Sequence, residues 1–233
     1  MPPQMLAFVV SAAAGAIALA FAALGAWRCA AVSLLVGIAA GFAARIWSRR
    51  SPAPMPHWMR AVLFLPRTFQ SAERLKTMLQ LGPGQRVLEI GPGVGIHALP
   101  LAAELASTGV LEVLDVQRPM LEVLMRRARS AGVTNVRSRV GDARFLPYPD
   151  GSFDAAYLIS VLGEVPDAQV ALSELCRVLK PGGRLVVGEI VVDPDFIGLP
   201  TLQELMAAAG FEFERRSGPR FAYLASFRTA AAR

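Results

Sequence analysis

Three glycines at two-residue spacing, Gly91, Gly93 and Gly95, follow directly on the short run Arg86 to Ile90, with an acid, Glu89, just ahead of them. Missing side chains let a backbone turn sharply from strand into helix and let a ligand approach to contact distance. The run is a cradle for a nucleotide-type ligand, and its spacing narrows which one. In the dinucleotide fingerprint a third glycine stands five residues after the first; that place here holds Ile96. A nicotinamide dinucleotide, with the hydride transfer it serves, is therefore disfavoured.

Ligands of open α/β sheets bind outside the carboxyl ends of the strands, so the other strand ends can be read for chemistry in the same way. Asp115, at the end of the second strand, offers a carboxylate able to accept both hydroxyls of a ribose. Gly141, Asp142 and Ala143 end the third strand with an acid suited to an adenine amino group, and Ile159, Ser160 and Val161 follow the fourth. Glu164 and Glu189, close after the fourth strand and at the end of the fifth, can orient an amine or act as a base. His97, just after the glycine loop, and Tyr148, in the loop after the third strand, are further candidates, as is Tyr157 within the fourth strand. Each has a plainer role open to it: helix capping or solvation for the carboxylates and His97, a loop surface for Tyr148, core packing for Tyr157. Cys29 and Cys176 give neither a disulfide framework nor a metal-site spacing, and no metal is expected.

These positions need a particular frame. From Arg86 onward apolar strands alternate with helical patterns, the signature of a doubly wound, Rossmann-like α/β sheet. Strands are predicted at Arg86 to Ile90, Val110 to Asp115, Val136 to Val140, Phe153 to Leu158 and Arg184 to Ile190, with helices near Ile96 to Ala106, Pro119 to Ala131 and Ala168 to Leu179. Lys180-Pro181-Gly182-Gly183 reads as a helix end and turn. After a helix over Leu199 to Ala209, Phe211 to Arg216 and Phe221 to Phe227 form a hairpin at the sheet edge. The expected architecture is a seven-stranded sheet with its last strand antiparallel.

The segments Val87 to Gly95, Leu114 to Leu121, Gly141 to Ala143, Leu146 to Asp154 and Leu179 to Leu185 occur in this order, most at strand ends. The whole run, about Ser71 to Arg228, resembles the class I S-adenosylmethionine-dependent methyltransferases, and among them the group that includes the ubiquinone and menaquinone C-methyltransferases. The resemblance implies S-adenosylmethionine as cofactor, S-adenosylhomocysteine as product, and a cofactor-binding set of Glu89, Gly91, Pro92, Gly93, Gly95, Asp115, Val116, Gln117, Gly141, Asp142, Ala143, Ile159 and Ser160. It implies in-line displacement at a methyl carbon, in which alignment supplies much of the rate. A base is needed only where the acceptor must lose a proton, and Glu164, Glu189, Tyr148 and His97 are the candidates.

The N-terminal part is of another kind. Met5 to Trp27 is uncharged and apolar, Arg28 interrupts, and Cys29 to Ala44 is again free of charge. A bilayer-spanning helix needs about 20 such residues. The second run reaches that length only if Arg45 snorkels and Ile46 and Trp47 are counted. One continuous helix over both would be about 65 Å long, roughly twice the hydrocarbon thickness, so a hairpin turning near Gly25 to Ala30 is expected. One span with a re-entrant segment, or a cleaved signal, are the alternatives; Met1 to Gln4 lacks the basic start of a signal peptide. Gly37 and Gly41 form G-x-x-x-G, which allows close helix approach and a route to homo-oligomers. The expected division is an anchor over 1–47, with helices near 5–27 and 29–47, a proline-rich linker and interfacial segment over 48–70, and the methyltransferase-like domain over 71–233. Pro66 is read as a break and Ser71 as the cap of the next helix.

The net charge of +6 is local. Residues 1–72 hold six Arg and no acid, whereas the remaining 18 basic and 18 acidic residues balance. A neutral folded domain argues against nucleic acid, and an Arg collar beside an apolar hairpin suits the cytoplasmic side of an inner or plasma membrane and its anionic lipids. The expectation is a membrane-anchored enzyme, its domain in the cytoplasm, methylating a lipophilic acceptor such as a quinone, a lipid headgroup or a hydrophobic small molecule. A cofactor-binding sensor or a membrane scaffold is the alternative.

Overall fold

The computed structural model describes residues 3–64, 68–105 and 108–230. Two long helices, α1 (Pro3–Ala23) and α2 (Trp27–Arg50), pack as a hairpin that turns at Gly25, whose φ of +73° only glycine adopts freely. The helices approach where the side chains are smallest. Ser11 Oγ donates to the Gly37 carbonyl at 2.7 Å, and a Cβ on Gly41 would stand 3.0 Å from that hydroxyl. The G-x-x-x-G face is thus used inside the hairpin. Both helices are long and apolar enough to cross a membrane, and large side chains such as Leu19, Leu35 and Phe42 point outward, 66–75% exposed.

Two expectations for α2 are corrected. The helix does not stop near Trp47; arginine continues a helix readily, and it runs on to Arg50, just ahead of Pro52. Nor does Arg45 snorkel. Its guanidinium donates to the carbonyl of Val191 at 2.5 Å and stands 5.9 Å from the Phe196 ring, while Ala44 and Ser48 are buried and the Ser48 hydroxyl bonds to the Asp195 carboxylate. The end of α2 is seated on the domain.

The chain then crosses the domain as two 3₁₀ helices, His57–Phe64 and Thr68–Gln70. The break expected at Pro66 lies outside the described residues. Helix α3 (Ala72–Leu79) begins at Ser71, whose hydroxyl accepts from the Arg74 N–H at 3.4 Å, as read from sequence.

The sheet contains β1 (Arg86–Ile90), β2 (Val110–Asp115), β3 (Val136–Val140), β4 (Phe153–Ile159), β5 (Leu179–Ile190), β6 (Phe211–Ser217) and β7 (Ala222–Thr229) in the order β3-β2-β1-β4-β5-β7-β6. The first five are parallel, and β7 runs antiparallel to both β5 and β6. Helices α4 (Ala98–Glu104), α5 (Arg118–Ser130), α6 (Ala168–Val178) and α7 (Leu199–Ala208) cover its two faces. Ala106, where the helix after the glycine loop was predicted to end, lies outside the described residues. The Lys180 to Gly183 turn is absorbed into β5: the ladder pairs Phe153 with Leu179 and resumes at Ala155 with Arg184, so the intervening residues bulge.

Alternation along each strand builds two cores. Leu88, Ile90 and Leu158 face α6 and α7 with Leu172, Leu175 and Met206, while Val87, Val113 and Tyr157 face α3, α4 and α5 with Leu79, Leu101 and Leu124. The strand order reverses between β1 and β4, which leaves a crevice at their carboxyl ends. Leu124 is fully buried beneath this crevice, against Gly95. Leu124→Ala is expected to lower unfolding stability by about 2–5 kcal/mol, measured by urea denaturation in detergent; a loss well short of that would mean α5 is not packed under the glycine turn.

Candidate cofactor and active site

The three glycines divide by role. Gly91, Gly93 and Gly95 all have positive φ, +65°, +54° and +80°. A Cβ on Gly91 would stand 2.5 Å from Val161, and one on Gly93 would stand 2.9 Å from Leu63. Both glycines line a cavity of about 170 Å³ at the crevice. Gly95 does not; its missing side chain makes room for Leu124 of α5. The first two open the cavity and the third seats a helix.

Asp115 is mostly buried in the cavity wall. Burial raises its pKa, opposed by backbone N–H donors at Gln117, 2.8 Å away, and Gly93. The carboxylate is held by the loop it faces. Val116, Gln117, Gly141, Ala143 and Ile159 line the same cavity. Asp142 does too, but Arg144 grips its carboxylate at 2.6 and 3.1 Å and holds its pKa below the usual range. Ser160 adopts φ +55°, unusual for a residue with a side chain, and its buried Oγ has no hydrogen-bond partner. A positive-φ cradle that a Cβ would fill, a fixed carboxylate and an unsatisfied hydroxyl around one cavity are the features a nucleoside ligand requires.

Glu89 and Pro92 are buried, and neither lines the cavity. Glu89 sits in the ladder beside Tyr157, whose hydroxyl donates to it at 2.7 Å. Desolvation raises its pKa to about 8, with the Tyr157 bond opposing and the Asp115 charge adding.

Of the candidates for proton transfer, only Glu164 reaches the cavity. It ends the short 3₁₀ helix Leu162–Glu164 and accepts from the Met55 N–H at 3.3 Å. Burial lifts its pKa well above the carboxylate range, and the charges of Asp193 and Asp195 add to the rise.

The other three are placed elsewhere. Tyr148 turns into the core, 4.9 Å edge-to-face from Phe153, because burying a ring against another ring outweighs exposing it in a loop. His97 precedes α4, and its Nε2 bonds to the Gln70 carbonyl at 2.8 Å, tying the segment before α3 to the glycine loop. Glu189 shares strand parity with Val187, which packs against α6 and α7, so its carboxylate turns away from the cavity and accepts from the Ile197 N–H at 3.1 Å. Burial holds that pKa well up.

Three groups of lining residues were missed, one of them Val165 and Pro166 just after Glu164. Pro54, Met55 and Leu63 cross above the cavity, with Gln117 Nε2 donating to the Met55 carbonyl at 2.8 Å on one side and Glu164 bonded to the same residue on the other. The segment from His57, which by sequence suits the headgroup region or packing against the domain equally, continues as a strap over the site. Asp193 lines the cavity from the loop after β5; the rule of strand ends, applied to Asp193-Pro194-Asp195, would have found it.

Residues 88–187 match the family described as a methyltransferase domain. Methyltransferase GfsG of Streptomyces halstedii is 40% identical over 121 residues, 52% of this chain and 43% of that protein. The ubiquinone/menaquinone biosynthesis C-methyltransferase UbiE of Vibrio vulnificus is 36% identical over 137 residues, 54% of this chain and 53% of that protein. The chain thus spans about half the length of the curated relatives it matches. A solved SAM-dependent methyltransferase from Aquifex aeolicus superposes with a TM-score of 0.69 at 19% identity, over 75% of this chain and 98% of that one. Residues 88–187 thus match a methyltransferase domain, and the fold is that of the S-adenosylmethionine-dependent methyltransferases.

Glu89 gives a test of the electrostatics. Folding holds a proton on this carboxyl that the unfolded chain releases, so its contribution to stability is complete below pH 4.5 and is lost as pH rises towards 8. Glu89→Gln carries no such proton. The melting temperature of the variant relative to the parent is expected to climb between about pH 4.5 and pH 8 and level off above; a difference independent of pH would show that Glu89 ionises normally.

Proposed function

We propose that the protein is a membrane-anchored S-adenosylmethionine-dependent methyltransferase that acts on a lipophilic acceptor. One observation carries the reading: the Gly91–Gly93 cradle, Asp115 and Ser160 meet at one cavity at the sheet's switch point, under a strap that issues directly from an apolar hairpin. Bound there, S-adenosylmethionine supplies a methyl group already activated by its sulfonium. Gly91 and Gly93 let the backbone reach the ligand, Asp115 accepts from ribose hydroxyls, and Asp142, Ala143 and Ile159 flank the base. Met55 and Leu63 keep water out from above.

On the acceptor side Glu164 is the group able to take a proton. Its burial among Asp193 and Asp195 makes it a stronger base than a solvated carboxylate. The UbiE relatives act, by name, in quinone biosynthesis, which supports a quinone-type acceptor. The hairpin supports a membrane-dissolved one, since tethering raises the effective concentration of enzyme against substrate held in the same phase.

In titration calorimetry, the detergent-purified protein is expected to bind S-adenosylmethionine, and Asp115→Ala and Gly93→Leu to abolish the signal; unchanged affinity in both would remove the site assignment. Glu164→Gln is expected to keep binding but slow transfer roughly 10²- to 10⁴-fold, and to erase the rise in rate as pH passes upward through the parent's Glu164 pKa. The acceptor is read by mass spectrometry of membrane lipid and quinone extracts after incubation with deuteromethyl cofactor. Binding with no labelled product would favour a sensor.

A further inference from the structure

The exposed large apolar side chains are unevenly placed. Outside the α1–α2 hairpin and its turn, and apart from Phe213 on edge strand β6, all of those among the described residues lie on the strap or at the carboxyl edge of the sheet. None lies at the opposite edge. The most prominent on the strap and on the loops beside α2 are Trp58, Phe64, Val192 and Phe221, exposed by 54%, 56%, 66% and 53%.

The loop that carries Val192, the turn that carries Phe221 and the end of the strap form one connected rim. Arg45 of α2 donates to the Val191 carbonyl, the Val191 N–H donates to the Phe221 carbonyl at 2.7 Å, and the Phe221 ring stands 5.9 Å from Phe69 at the end of the strap. Arg49, Arg50, Arg60 and Arg220 are exposed around it. The nearby acids are turned inward, Asp195 onto Ser48 and Asp193 into the cavity wall. Apolar side chains ringed by arginine suit the boundary between acyl chains and anionic headgroups.

From this we propose that the carboxyl edge of the sheet lies flat on an anionic bilayer surface, with Trp58, Phe64, Val192 and Phe221 in the headgroup region, so that the cavity opens towards the lipid phase. The proposal rests on the reading of α1 and α2 as a membrane anchor. The seating of Ser48 and Arg45 supports it, because a helix leaving the bilayer and ending on the β5–α7 loop brings that edge to the surface without a flexible tether. A lipophilic acceptor then enters beside the strap without crossing water.

The test uses the full chain reconstituted in phosphatidylcholine–phosphatidylglycerol vesicles whose acyl chains carry bromine at shallow or deep positions. Four proteins each keep one tryptophan: Trp27, in the hairpin turn; Trp58; Val192→Trp; and Ser130→Trp at the opposite edge, the last two in a background with Trp27, Trp47 and Trp58 changed to Phe. Trp58 and the tryptophan at 192 are expected to be quenched by shallow bromine at least about twice as strongly as the one at 130, and more by shallow than by deep bromine. If Trp27 is quenched while 58 and 192 behave like 130, the anchor stands and the flat docking is wrong. If Trp27 is not quenched, the anchor reading itself fails. Shielding of 58 and 192 from aqueous iodide without bromine quenching would assign the rim to a second copy of the chain and overturn the proposal.

Discussion

The contact between the end of α2 and the loop after β5 governs how the rest of the molecule is arranged. Ser48 bonds to Asp195, Arg45 to the backbone at Val191, and Ala44 is buried at the same seam. Six residues later the chain reaches Pro54 and Met55 above the cavity, and Met55 is hydrogen-bonded on both sides, to Gln117 and to Glu164. The hairpin, the strap and two walls of the site are therefore one connected set of bonds. Moving α2 relative to the sheet would have to move the roof of the cavity too. Hydrogen bonds made in partly buried surroundings hold such a seam because each broken one leaves a polar group unsatisfied.

Electrostatics at the cavity follow from the same construction. Asp115, Asp142, Glu164 and Asp193 line it, and among the described residues no basic one does. Asp142 has a cation in direct contact, Arg144, and its pKa is lowered. Asp115 and Glu164 are raised by burial, so each keeps its proton more readily than a solvated carboxylate. A positively charged ligand in such a cavity favours the ionised forms and is favoured by them. Glu89 and Glu189 share the raised pKa but not the access; they are buried behind the strands and serve the packing of Tyr157 and the Ile197 loop.

Much of this was legible in the sequence because parallel strands buried on both faces are written as short apolar runs, and glycine marks where the backbone must take positive φ. All seven strands, the antiparallel end of the sheet, and the cavity positions Gly91, Gly93, Asp115, Gly141 to Ala143, Ile159 and Ser160 come from that pattern. What was not legible depends on distant partners or on which face a side chain takes. Tyr148 stands in a loop by sequence, yet Phe153 and the guanidinium groups of Arg86 and Arg139 draw its ring inward. His97 meets a carbonyl 27 residues earlier in the chain. The strap stayed open between two readings because its outward face, Trp58 and Phe64, is apolar like its inward face, Met59 and Leu63, so no periodicity separates a membrane foot from a lid. In the structure Leu63 faces the cavity and Trp58 and Phe64 are exposed on the outside.

That double-sidedness bears on why a methyltransferase-like domain would be bonded directly to the end of a hairpin. A flexible linker alone would raise the local concentration of the domain near a membrane, but it would leave the cavity pointing in any direction. In-line displacement gains most from orientation, and reactants held in the right geometry can be favoured by several orders of magnitude over free encounter. An acceptor dissolved in a bilayer arrives with its own fixed orientation, its polar head at the interface and its tail along the membrane normal. Matching it requires a domain whose orientation is fixed as well. On the proposed anchoring, seating Ser48 and Arg45 on the β5–α7 loop would supply that, because the same loop carries Asp193 to the cavity and Val192 to the rim.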